Sequence, residues 1–158
     1  VRLKKQPLFE KEYQQAVQQL IASIAATNNE NAFDKVFIYR KGLRSLENNH
    51  AVLECLAQLG FYCFDPGDHP VSFQVAALAK ASVVVGVHGA GLTNILFSSK
   101  LRFLLELMPG NMKPNHYREI AVTKGASYAC LQGSMLNENL QFNLETSRIL
   151  EALSKFEN

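Results

Sequence analysis

The residues with the most to offer chemically sit in one stretch, Gly86-Val-His-Gly-Ala-Gly-Leu-Thr-Asn94. Glycine lets a backbone N–H approach a ligand closely. Where such a loop opens a helix, the free amides and the helix dipole attract a phosphate, a term of about 0.3–1 kcal/mol that reaches ~2 kcal/mol when partly buried. His88, Gly89, Ala90, Gly91, Leu92, Thr93 and Asn94 are therefore the first candidate ligand-binding residues. A tight strand-to-helix connection, in which glycine only permits close packing, claims the same residues with equal right. His88 has three open roles: a phosphate contact, an acid or base, or an anchor for the loop.

Three chemistries compete for this loop. A dinucleotide fold wants G-x-G-x-x-G after the first strand, but here Asn94 stands at the third glycine. An oxyanion loop of an esterase also reads H-G-x-G, yet it needs a G-x-S-x-G nucleophile elbow, which this sequence lacks. The third chemistry is capture of a phosphate or diphosphate, with cations from a neighbouring loop. Arg40, Lys41 and Arg44 can supply them, since each charge-assisted bond from an arginine is worth about 1.5–3 kcal/mol. Glu106 lies inside an apolar run, where a carboxylate is costly unless it is paired or binds something. It could accept from ribose hydroxyls or pair with a loop arginine. Asp65, Asp68 and His69 read as a turn rather than a metal site, because Asp-Pro-Gly-Asp is turn-forming and its spacing matches no ligand set.

The elements that must position these groups alternate. Helical spacing over residues 10–27 turns Tyr13, Val17, Leu20, Ile21 and Ile24 to one face. Strands are predicted at 35–40, 61–65, 82–87, 101–108 and 127–132, with a short sixth or an extended segment at 141–145. Between them come helices at 47–59 (Val52, Leu53, Leu56 and Leu59 inward, Gly60 as cap), 72–80, 115–124 and 145–156. Ser-Val-Val-Val-Gly-Val at 82–87 is apolar on both faces, as in a parallel sheet covered on both sides. The expected fold is α/β, a doubly wound and mainly parallel sheet of five or six strands in one domain over 1–158. The strand order 2-1-3-4-5 would set the basic loop across the crevice from the glycine loop; 3-2-1-4-5 stays open.

Composition narrows the classes. The chain has 158 residues, 47% hydrophobic and 19% charged, enough to bury a core without disulfides. The net charge of +2, with no Lys/Arg run above two, speaks against a broad nucleic-acid surface. Three cysteines without a C-x-x-C pair read as buried thiols in a reducing compartment. Residues 81–99 carry no charge but hold His88, Asn94 and three glycines, which fits strand, loop and helix start better than a bilayer span. The polar N-terminus does not read as a signal peptide.

Ala81 to Asn94 with Phe97, Arg40, Arg44, Leu46 and Asn48 together resemble the family 61 glycosyltransferases, formerly grouped as a domain of unknown function. Gln74-Val75, Glu106-Leu107, Tyr117 and Tyr128 also fall at matching places, and the resemblance covers residues 35–131. Ser82 replaces a usual acidic residue, and Asn49 stands where Glu commonly follows the Asn. The resemblance implies the Rossmann-like, donor-binding half of a two-domain GT-B enzyme, so Val1 would be a cut edge. It implies inverting, metal-independent transfer, in keeping with the lack of D-x-D, from a nucleotide sugar expected to be UDP-linked. Arg40, Arg44 and residues 88–94 would hold the diphosphate, with Asn48 and Glu106 near the nucleoside or supporting the site. The acceptor, a glycan or protein, would sit on a missing N-terminal domain. Members include capsular-polysaccharide enzymes, xylan xylosyltransferases and protein O-GlcNAc transferases. The expected location is cytoplasmic or membrane-peripheral in a bacterium and the secretory lumen in a eukaryote. A non-catalytic nucleotide-binding module and an HGAG-loop hydrolase are the competing readings.

Overall fold

A computed structural model describes residues 11–27, 32–113, 116–135 and 137–157. Its elements, in chain order, are α1 (Lys11–Thr27), β1 (Lys35–Ile38), α2 (Asn49–Gln58), β2 (Tyr62–Phe64), α3 (Val71–Leu78), β3 (Val83–Val87), β4 (Phe103–Pro109), α4 (His116–Thr123), β5 (Ser127–Met135), β6 (Phe142–Asn143) and α5 (Thr146–Glu157). Short 3₁₀ helices cover Pro66–Asp68 and Ala90–Phe97. Glu10 and Asn115, the expected first residues of two helices, lie outside the described residues, and so does the Tyr13 side chain.

The strands form one sheet in the order β2-β1-β3-β4-β5-β6, which settles the open choice in favour of 2-1-3-4-5. The first five run parallel, and β6 pairs antiparallel with the end of β5. β3 and β4 are buried at every position, as expected of strands apolar on both faces. Helices cover both sides. Val52 and Leu56 of α2 pack with Ile149 and Leu153 of α5 over Phe37, Val85, Leu105 and Leu107. On the other side Ala77, Leu78, Tyr117, Ala121, Leu92 and Ile95 cover Val36, Ile38, Val84 and Leu104.

Two expected inward residues point elsewhere. Leu20 is 48% exposed, because α1 touches the body through Ile21, Val17 and Ile24 against Val75 and Ala79. Leu59 is 40% exposed, because it caps α2 instead of continuing it. Gly60 follows at φ +80°, and the backbone turns back through Phe61 N–H to Leu56 O at 3.0 Å. This is the left-handed helix end that glycine takes without steric penalty.

Candidate functional site

The order of the sheet reverses between β1 and β3, the switch point beyond whose strand carboxyl ends such sheets bind ligands. The loop after β1 brings Arg40 to one side of it. The loop after β3 brings His88 and the glycines to the other. They meet: Arg40 Nη1 donates to the His88 carbonyl at 3.2 Å. A Cβ on Gly89 would collide with that same Arg40 nitrogen.

Each glycine of the motif serves a close approach within the protein. A Cβ on Gly86 would strike the Leu92 side chain, and one on Gly91 would lie 2.9 Å from Pro66 Cγ and 3.3 Å from Ile38 Cγ2. The glycines therefore let the 3₁₀ helix 90–97 close down on β3 and on the end of β1. The tight-connection reading thus holds for the side-chain positions. The ligand reading keeps the amides, since Leu92 N–H already bonds Gly89 O at 2.9 Å while the N–H groups of Ala90 and Gly91 precede this first internal donor. Leu92 is fully buried and offers only its backbone. The element is a 3₁₀ helix of eight residues, longer than such helices commonly run.

The cations crowd one another. Burial and then the Arg44 charge push the Arg40 guanidinium down from its ordinary range, while Asp65 partly offsets this. Arg40 Nε is a buried donor with no partner among the described residues. Arg44 holds a left-handed backbone, φ +59°, fixed by its N–H to Asn139 O at 2.9 Å. A non-glycine residue there carries strain, a condition that collects at functional positions. Lys41 is engaged elsewhere, Nζ to Asp68 at 2.6 Å and N–H to Asp65 at 3.2 Å. Asp65 also caps the turn through Gly67 N–H at 2.9 Å, so both acids are spent on turn and lysine.

Glu106 is placed differently from either expectation. It pairs with neither a loop arginine nor open space, but is wholly buried. Its Oε1 lies 2.5 Å from His88 Nδ1, and its Oε2 accepts from Tyr128 Oη at 2.6 Å. Sheet register explains the meeting. Glu106 faces Gly86 on β3 and Cys130 on β5, so His88 lies two residues beyond one partner and Tyr128 two residues before the other. All three share a face of the sheet, on a diagonal that long side chains can span. Burial and the Glu106 charge push the Tyr128 phenol well up, holding its proton. The Cys130 thiol is pushed up to about 11, by burial first and Glu106 second.

The remaining candidates form a frame. Tyr117 meets the His88 ring edge-on at 5.5 Å. Asn94 donates to Gln74 at 2.7 Å, and Gln74 in turn holds the carbonyls of Pro66 and His69 at 2.8 and 2.9 Å. Asn48 has both polar ends on the Leu144 backbone, at 2.8 and 3.3 Å, so it supports the loop instead of facing the crevice. Sequence reasoning gave Gln74, Tyr117 and Tyr128 matching positions but no role; for Gln74 its polar end in the otherwise apolar α3 was the available signal.

The family model described as Glycosyltransferase 61 matches residues 3–114. The chain belongs to that family. Among curated proteins, a β-1,2-xylosyltransferase of Arabidopsis thaliana is 38% identical over 55 residues, which are 35% of this chain and 10% of that protein. The chain thus spans a small part of the relative's length. The glycosyltransferase 61 match takes in the Arg40–Asn48 loop, the glycine loop and Glu106, and ends before Tyr117 and Tyr128. Among the described residues no helix is long and apolar enough to cross a membrane.

Proposed function

We propose that this domain binds the nucleotide-sugar donor of a family 61 glycosyltransferase, with the diphosphate in the crevice between β1 and β3. The observation that carries the reading is the pair of crowded arginines, Arg40 with a buried, unpartnered Nε, facing the glycine loop. Two like charges brought together beside free amides are relieved by an anion. The donor would be UDP-linked. As the sugar leaves, negative charge grows on the diphosphate, and preorganised arginines and backbone amides stabilise it without reorganising. That supports a metal-independent transfer, and the family resemblance supports inversion at the sugar carbon.

In this reading Arg40, Arg44, Gly89, Ala90, Gly91, Thr93 and His88 touch the donor or its diphosphate. Asn48, Leu92, Asn94 and Glu106 hold those groups in place. The acceptor and the base that deprotonates it belong to a further domain of the whole enzyme, as in a two-domain GT-B architecture. A pentose donor, UDP-xylose, is the first sugar to try, given the named relative.

Calorimetric titration with UDP, GDP and UDP-xylose tests the reading. UDP should bind, and Arg40→Ala and Arg44→Ala should each weaken binding tenfold or more. Absence of nucleotide binding, or binding indifferent to both substitutions, overturns it. Binding in a full-length protein that shows no transfer to any acceptor would favour a non-catalytic nucleotide-binding module.

A further inference from the structure

Glu106 has no solvent exposure and yet carries two hydrogen bonds, one to each oxygen. The Tyr128 phenol, held protonated by burial and by the neighbouring charge, is the donor to Oε2. An ionised carboxylate only accepts, and in that state its partner Nδ1 of His88 would carry the proton. Among the described residues no protein group takes Nε2. It is also not sealed, since the His88 side chain keeps 12% exposure while its Nδ1 edge is turned to a fully buried partner. A second partner that fixes a carboxylate, which in turn fixes one imidazole nitrogen, is how a histidine is held in one tautomer.

We propose that Tyr128 is a positioning residue: acting through Glu106, it keeps His88 in the Nδ1–H form with Nε2 presented to the crevice beside Arg40. The inference deepens the donor-site reading and rests on it for the identity of what Nε2 meets, a ribose or sugar hydroxyl of the nucleotide sugar, because an unprotonated Nε2 accepts a hydrogen bond and cannot donate one to a phosphate oxygen. The groups that face the ring are few. Glu106 comes from β4 and Tyr117 from α4, with Cys130 beside Glu106 on β5, while Arg40, with Arg44 near it, meets the His88 backbone carbonyl. Glu106 alone bonds Nδ1. The opposite arrangement, a neutral carboxyl donating to Nδ1, would leave the ring proton on Nε2.

The test needs no ligand. Long-range ¹⁵N–¹H correlation spectra of the histidine-labelled protein, recorded across pH 6 to 9, report which nitrogen carries the proton. The expected result is Nδ1–H at His88, and a shift toward mixed tautomers in Tyr128→Phe. Arg44→Ala should leave the His88 spectrum unchanged. A neutral ring with its proton on Nε2 alone in the unaltered protein overturns the proposal before any variant is made. So does a Tyr128→Phe spectrum identical to it. UDP titration of the same samples separates the two readings. Tyr128→Phe should weaken UDP severalfold and change the pH dependence of binding. The expected tautomer response with no UDP binding upholds the positioning and overturns the donor site instead.

Discussion

β4 presents two unlike faces. Toward α2 and α5 it shows Phe103, Leu105 and Leu107, an apolar surface continued by Phe37 and Val85. Toward α4 and the 3₁₀ helix it begins with Leu104 and then breaks at Glu106, beside His88 and Tyr128. The first face gains by removing area from water, roughly 25 cal/mol per Å². The second gives up part of that gain, because a buried carboxylate must recover its desolvation through short bonds. The lesson is that stability and site geometry are separated by side of sheet, not by position along the chain. Adjacent residues Leu105 and Glu106 belong to different tasks.

Substitutions can break that contrast, and the largest effect should come from the apolar face. Phe37→Ala should cost about 3–5 kcal/mol in chemical denaturation, with nucleotide affinity of the folded protein unchanged. A comparable loss of affinity would show that the faces are coupled. Next comes the seam under the 3₁₀ helix. Gly86→Ala should cost about 1–3 kcal/mol by overpacking against Leu92. Combined with Leu92→Ala it should cost less than the sum, as neighbours in contact are not additive. On the polar face Glu106→Leu should cost about 1–3 kcal/mol, because the Tyr128 hydroxyl and the His88 N–H lose their acceptor.

Smaller effects sharpen the contrast. Arg44→Gly should leave stability unchanged or raise it by about 1 kcal/mol, since glycine accepts φ +59° freely. The same variant should weaken UDP tenfold or more in calorimetry. Loss of stability without loss of affinity would make Arg44 a structural residue. The smallest effect is a pH slope. Folded Cys63 and Cys130 keep their protons to about 11, against an ordinary 9.0 when unfolded. Their contribution is therefore fully present below pH 9 and is lost as pH climbs toward 11. The Cys63→Ala/Cys130→Ala double variant should show a shallower decline over that window in thermal melts.

The fold was largely legible. Buried parallel strands announce themselves by runs such as Val83–Val87, and left-handed helix ends by Gly60 and Gly125. Strand order was not readable as a single answer, because pairing between strands far apart in sequence leaves no local mark. The site was legible in its residue types and less so in its contacts. Asn48 looks like a ligand group in sequence, yet its partner Leu144 is 96 residues away. Glu106 could be recognised as an expensive carboxylate, but finding its partners requires the register of three strands. The element after His88 reads as a helix start, and only the packing of Gly86 and Gly91 tightens it to 3₁₀.

The loop that carries Arg44 is fastened from the far end of the chain. Arg44 and Glu47 donate to Asn139 and Phe142, Leu46 bridges Phe142, and Asn48 grips Leu144. Those anchors, with β5 and α5, lie past residue 114, where the family signature stops. A recombination that exchanged only the signature would carry the arginines across and leave their brace behind, so the smallest piece able to travel between proteins intact reaches at least to α5.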